Sequence, residues 1–557
     1  MPTKRPSKPP PPKTAGVTIP LFSLRSDASW GIGEIGDLPA FAGLVARAGV
    51  GLVQLLPIAE ISLGNTSPYA ALSAFGIDPM YLSLTHVADL RDLSNEQALG
   101  ADGAARLAAL RRAPGVDYEA VRPLKRRALA AGLRVFHERE LAAGANKSRR
   151  ARSFVDFLDA HADWLPDYAI YRAIKDEHRG AAWWDWPEAL RERDPAALRA
   201  ARARLAETIL LHEYTQWLAH AQWADARAAV KALGVELMGD LPFMVDRDSA
   251  DVWAHREQFR LDMSVGVPAD QFDADGQDWG LPPYHWKVMA ADGFTWLKRR
   301  ARYAGTLYDR FRIDHLVGFF RTYMRPYDRR RNDAGKLVPG VFDPPDAAAQ
   351  KRHGEKVVGA MIAAAAAVGA RLIAEDLGSI PDYVGPSLRK LEAPGYKVLQ
   401  WERVRTPPGK PAPPVPDYVD PASWPALSVA CFGTHDTAPV AVWWRELGAG
   451  DRDAALRLPF LRDLSPRPGA ELTPAVHAAL LRLLFGAGSE LALLLFQDVL
   501  GTAERINVPG TVGPHNWTYR LPASAEHMLH DAGVQAALGR LHAALAATGR
   551  LTARTSA

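Results

Sequence analysis

Four acidic residues close short apolar, β-prone runs: Asp240 in VELMGDLPFMV, Asp314 in FRIDHLVG, Glu375 in ARLIAEDLG and Asp436 in LSVACFGTHD. One acid in such a place is most simply a helix cap or half of an ion pair. Four of them, with Arg312, His315 and His435 adjacent or two residues away, predict a shared acidic cleft. Asp376 follows Glu375, but successive strand residues face opposite sides, so only one of the two can enter that cleft. No H-x-H or H-E-x-x-H pattern accompanies the acids, which argues against a metal site. Glycoside cleavage fits them better. It uses one carboxylate as nucleophile and one carboxylic acid to protonate the leaving oxygen, and a third acid can bind sugar hydroxyls. The 16 tryptophans and 15 tyrosines would supply apolar platforms for sugar faces from the surrounding loops.

The elements that must position these acids are eight near-continuous apolar runs, at 16–22, 50–58, 235–245, 311–318, 370–378, 396–402, 427–436 and 490–501. Such runs, separated by helical stretches, are the pattern of parallel strands buried on both faces, and eight of them predict an α/β fold, a (β/α)₈ TIM barrel. Barrel enzymes place their chemistry at the carboxyl ends of the strands, where these acids fall. Residues 16–557 are read as one catalytic barrel with two insertions. The first, about 95–232, is Ala/Leu/Arg-rich and helical in pattern; the second, about 246–304, is mixed and rich in Asp, Gly, Trp and Pro. The Ala-rich EKVVGAMIAAAAAVG should be a helix stopped by Gly369.

Gly31, Gly33 and Gly36 in SWGIGEIGDL match G-x-G-x-x-G, yet a dinucleotide loop needs its last glycine inside the first helical turn. Here the helix is expected to start at Asp37 as N-cap, with Pro39 in its first turn and Gly49 as its stop. The glycines therefore read as close packing at a barrel mouth. DADGQD at 273–278 fails as a calcium loop, because Asp278 and Tyr284 stand where glycine and glutamate are required. Residues 1–15 form a basic, proline-rich leader expected to be disordered. Its four positive charges and absence of acids account for the whole formal charge of +4, so the remainder is near neutral and neither a nucleic-acid nor a membrane-surface partner is indicated. A single cysteine, Cys431, and the lack of a secretory signal point to the cytoplasm.

At the acidic segments the chain resembles a known family. FRIDHLVGFFR, IAEDLG, GTHDT and GDLPFMVDRDSADVW are similar to signature segments of the 4-α-glucanotransferases (amylomaltase or disproportionating enzyme), glycoside hydrolase family 77. So are TSPYAALSAFGIDPMYL, GQDWGLPPYHW, KVLQWE and RINVPGTVGPHNW. The likeness runs from about Ile19 to Leu521 in the family's order. It implies transfer of an α-1,4-glucan segment from a donor maltodextrin to the 4-OH of an acceptor glucan or glucose, by a retaining double displacement through a glucosyl-enzyme. Asp314 would be the nucleophile, Glu375 the acid and then the base, and Asp436 the holder of hydroxyls on the −1 glucose. Arg312 would keep Asp314 ionised and oriented. His435 and Asp240 would grip neighbouring hydroxyls, and Tyr69 would stack on the −1 ring. Gln277 and Trp279 would lie on a loop covering the acceptor side, and Asn507 at the rim beyond the eighth strand. Maltooligosaccharides and α-1,4-glucans are the partners implied, with no cofactor, metal or obligatory protein partner. The sequence departs from the family pattern at Leu281, where many members have Asn, and at 406–425, which lacks an Asn-Pro-Tyr segment. Two other readings stay open: an α-1,4-glucan hydrolase on the same fold, and a non-catalytic glucan-binding protein.

Overall fold

Each of the eight apolar runs contributes one strand of a single parallel sheet: β1 (Thr14–Thr18), β2 (Leu52–Gln54), β3 (Glu236–Leu241), β4 (Arg310–Ile313), β5 (Arg371–Ala374), β6 (Gly395–Val398), β7 (Ser428–Cys431) and β8 (Leu491–Leu495). Their order is β6-β7-β8-β1-β2-β3-β4-β5. The two edges approach each other. Ala374 N–H donates to Pro394 O at 2.8 Å, and Tyr396 N–H to the Asp376 carboxylate at 2.6 Å. The result is a nearly closed (β/α)₈ barrel. The computed structural model describes residues 12–552, apart from 143, 145–147, 270–275, 408, 410 and 412.

The strand period of two builds the interior in layers. Leu52, Met238, Ile373, Val429, Leu491 and Leu493 pack with their neighbours as an apolar plug inside the barrel. Gly16 faces the same plug, because a Cβ there would lie 2.5 Å from Leu493 Cδ2 and 2.8 Å from Leu52 Cδ2. Two residues further along three strands, the inward positions become Thr18, Gln54 and Asp240, all buried. The acids thus stand on a floor of hydrocarbon that excludes water from below.

Between β2 and β3 the described chain folds largely as helices, from Asn95–Leu99 to the 27-residue Ala206–Ala232. Between β3 and β4 it runs through two strands, three α-helices and a 3₁₀ turn. Those two strands, Met263–Val267 and Gln277–Asp278, join Thr322–Pro326 and Val341–Asp343 in a separate four-stranded antiparallel sheet. Among the described residues no helix is long and apolar enough to cross a membrane.

Three local expectations need correction. The barrel starts earlier than residue 16: Thr14 and Ala15 already pair with β8, and Lys13 Nζ donates to Ala487 O at 2.7 Å. Residues 1–11 of the leader lie outside the described residues. Asp37 does not cap its helix (Leu38–Ala46) with its side chain. A 3₁₀ turn, Ile35–Asp37, precedes the helix, and the Asp37 carboxylate accepts from Glu34 N–H at 2.8 Å. Asp436 is not at a strand end, since β7 stops at Cys431 and the acid sits on the following turn. The Ala-rich helix, Ala347–Ala366, does close at Gly369 with φ +81°.

Candidate active site

The register of β3 on β4 sets Asp240 opposite Arg312, and everything else follows from that pair. Arg312 is only 4% exposed. Its Nη1 donates to Asp240 Oδ1 at 2.8 Å and Oδ2 at 2.6 Å, and its Nη2 donates to Asp314 Oδ1 at 2.9 Å. A guanidinium carries its donors in a fixed, planar fork and so holds two carboxylates at once in set directions. Asp240 is the sealed partner, with a side chain 0% exposed, whereas that of Asp314 is 31% exposed. Tyr69 completes the seal by donating its hydroxyl to Asp240 Oδ2 at 2.8 Å. Burial, reinforced by the Asp240 charge, pushes the Tyr69 phenol up, so it keeps that proton. His435 Nε2 lies 3.0 Å from the same hydroxyl. The phenol's one proton is committed to Asp240, which makes Nε2–H of His435 the donor there.

Glu375 enters the mouth and Asp376 does not. Asp376 turns toward β6, where its oxygens occupy the space a side chain at Gly395 would need, 2.3 Å from an ideal Cβ. Glu375 instead accepts the His315 N–H at 2.7 Å and its neighbour Leu377 N–H at 3.2 Å. Burial pushes its carboxyl up to about 8; the nearby Arg312 opposes that shift and Asp314 adds to it. Two carboxyl groups in one pocket are therefore set apart: Asp314 is ion-paired to Arg312, whereas burial holds Glu375 toward its protonated form. Pairs of this kind mark acid/base assignments.

Asp436 stands on the other side of the mouth, its side chain 40% exposed. Asn507 Nδ2 donates to Asp436 Oδ1 at 2.6 Å, and His435 Nε2 is 3.4 Å from Oδ2. Gln277 and Trp279 lie at the edge of the small antiparallel sheet, joined by a 2.9 Å bond from Trp279 Nε1 to Gln277 Oε1. The Trp279 ring meets His315 edge-on at 4.9 Å, so this sheet reaches the residue next to Asp314. All ten residues singled out from the sequence thus fall at one end of the barrel, linked by direct contacts or through His315.

Sequence reasoning passed over three contributors, Leu377, Arg505 and Trp517, and noted His315 only as a neighbour of Asp314. His315 supplies a backbone donor to Glu375 from a left-handed conformation (φ +45°). Leu377 supplies the second backbone donor. Arg505 holds the turn of Asp436 by donating to its carbonyl at 2.8 Å. Trp517 packs against Tyr69 and His435 at 5.8 and 5.9 Å. RINVPGTVGPHNW held a signal for the last two, a cation and an aromatic in one loop. Main-chain donors leave none. Among the described residues no group of three or more His, Cys, Asp or Glu side chains could hold a metal ion.

The SWGIGEIGDL glycines pack against protein. A Cβ on Gly33 would lie 1.9 Å from Leu21 O, and Gly31 has φ +82° against Leu110. No side chain fits at Gly33.

A family model described as 4-alpha-glucanotransferase matches residues 19–525. A 4-alpha-glucanotransferase of Thermus thermophilus is 33% identical over 558 residues, covering 97% of this chain and 99% of the relative. One from Chlamydia pneumoniae is 31% identical over 525 residues, 92% of each chain. The solved amylomaltase of Streptococcus agalactiae in complex with acarbose superposes with a TM-score of 0.78 at 26% identity, covering 97% of this chain and 99% of that one.

Proposed function

The chain belongs to the 4-α-glucanotransferase family, glycoside hydrolase family 77, and from that premise we propose how its residues divide the work. The enzyme moves an α-1,4-glucan segment between maltodextrins in two displacements. Asp314, held by Arg312 with one oxygen turned to the mouth, attacks the anomeric carbon. Glu375 gives its proton to the departing glucosyl oxygen, which is a poor leaving group and needs it. The same residue, now a carboxylate, takes a proton from the 4-OH of the acceptor, and that oxygen displaces Asp314. Two inversions return the original anomer.

The contrast between Asp314, ion-paired to Arg312, and Glu375, which burial holds toward its protonated form, carries this reading. Arg312 supplies one with a fixed cation; burial supplies the other with its proton. Asp240 takes a positioning role in place of the hydroxyl grip expected of it. Both its oxygens are spent on Arg312 and Tyr69, so it fixes the guanidinium that orients the nucleophile. Asp436, with Asn507 and His435 beside it, is the exposed acid available to sugar hydroxyls. Tyr69 keeps one flank of the mouth apolar, and Trp279 and Gln277 cover another, so that a sugar hydroxyl rather than water reaches the glucosyl-enzyme.

Incubation with maltotriose, with products separated by chromatography, tests the assignment. A ladder of longer maltodextrins plus glucose is the expected result. Maltose and glucose alone would mean that water is the acceptor and would remove the transfer reading.

A further inference from the structure

A second cavity, of about 330 Å³, lies between the segment after β2 and three helices of the long insertion, Tyr118–Phe136, Leu165–Glu177 and Ala206–Ala232. None of the residues given a role in glucan transfer lines it. Two arginines reach it from different helices. Arg172 has a side chain only 6% exposed, and its Nε and Nη1 make no hydrogen bond with any described residue. Arg122, 11% exposed, donates Nη1 to Ile61 O at 3.2 Å, while its Nε and Nη2 are likewise buried and without a hydrogen bond.

Carboxylates are nearby but largely committed elsewhere. Asp78 accepts Met80 N–H at 2.9 Å and Ile61 N–H at 3.2 Å, and stands 3.7 Å from Arg122 Nη2. Glu60 accepts the Tyr168 hydroxyl and sits 3.1 Å from Arg172 Nε, outside hydrogen-bonding geometry. The cavity thus presents a surplus of guanidinium donors. Of its four cationic side chains, Lys125 is bonded to Glu34 and Arg126 to Asp176, so the unmet donors are those of Arg122 and Arg172; three anionic side chains also line it, with Leu63, Leu129 and Leu211 as an apolar wall. Buried donors left without acceptors are costly, and forked guanidinium donors match tetrahedral oxyanions.

We propose that this cavity binds a phosphate monoester of a small sugar, its phosphoryl oxygens on Arg122 and Arg172 and its carbon-bound hydrogens against the leucine wall. The phosphoryl group supplies the acceptors that the arginines lack, and the volume takes a hexose beside it. A neutral sugar offers those unmet nitrogens only hydroxyl oxygens, weaker acceptors than phosphoryl oxygens.

Isothermal titration of the full chain with glucose 6-phosphate, inorganic phosphate and glucose, each at low and high salt, tests this. Glucose 6-phosphate should bind, more weakly at high salt, and tighter than phosphate; glucose should not register. Arg122→Met should weaken glucose 6-phosphate about 10–100-fold, the loss expected for charge-assisted bonds. Leu63→Glu serves as a second variant, because this rim residue is 51% exposed and its replacement does not endanger the fold. Its added negative charge should also weaken binding. Glucose binding as tightly as its phosphate, unchanged affinity in both variants, or no heat with either phosphate would overturn the proposal. Phosphate equalling glucose 6-phosphate would support the oxyanion site and overturn its sugar half.

Discussion

Glu375→Gln should cost the enzyme its reaction and stabilise its fold, and the second effect can be sized from the structure. The Glu375 carboxyl titrates at about 8 in the fold against an ordinary 4.5. Between those values the folded chain holds a proton that the unfolded chain has released. Stability therefore falls as pH rises across that window, by about 1.4 kcal/mol per pH unit, or about 3 kcal/mol by pH 7. Glutamine carries no such proton and escapes the penalty. It also loses something: its amide oxygen can accept only one of the two backbone bonds, from His315 or Leu377, at a cost of about 1–2 kcal/mol. The variant should be less stable than the parent near pH 4.5, cross it near pH 6, and exceed it by about 1–2 kcal/mol at pH 7. Denaturant unfolding at half-unit pH steps reads this directly. Activity on maltotriose should fall about 10²–10⁴-fold, and the parent's own activity should decline above pH 8 as Glu375 loses its proton. Stability curves that run parallel between pH 5 and 8 would refute the claim that burial keeps Glu375 protonated, and with it the acid assignment.

The same variant should still react with α-glucosyl fluoride, which needs no proton on its leaving group. The trapped glucosyl unit should appear by intact-mass spectrometry and map to Asp314 after digestion; label elsewhere would displace the nucleophile. Arg312→Met leaves Asp240 buried without its counter-ion, so unfolding free energy should drop by about 3–5 kcal/mol. A variant with parental stability would mean that Asp240 has other support. Asn507→Ala removes the 2.6 Å bond to Asp436 and should lower kcat/KM about 10–100-fold, as expected for a hydrogen bond to a charged group. Its melting temperature should stay within about 2 °C of the parent, because the lost bond lies at the barrel rim.

The sequence by itself determined the scaffold. Strands buried on both faces must be apolar throughout, so all eight announce themselves as runs, and the acids at the carboxyl ends of β3, β4 and β5 stand out because nothing else polar belongs there. Alternation alone could not decide between Glu375 and Asp376, because it says that one faces inward without saying which; only the family resemblance singled out Glu375. Tertiary structure decided it: β6 closes the barrel with a glycine at 395, and Asp376 fills the gap that glycine leaves. Nor could spacing show that Asp240 would be sealed beneath Arg312, since that depends on the register of two strands far apart in the chain. The three glycines are legible only in three dimensions. Their motif is the same whether phosphate or Leu21 and Leu110 lie against them. The proton on Glu375 is likewise a property of the assembled site. Residue type fixes which groups can titrate, whereas the hydrocarbon and charges gathered around a group from distant segments fix where it does so.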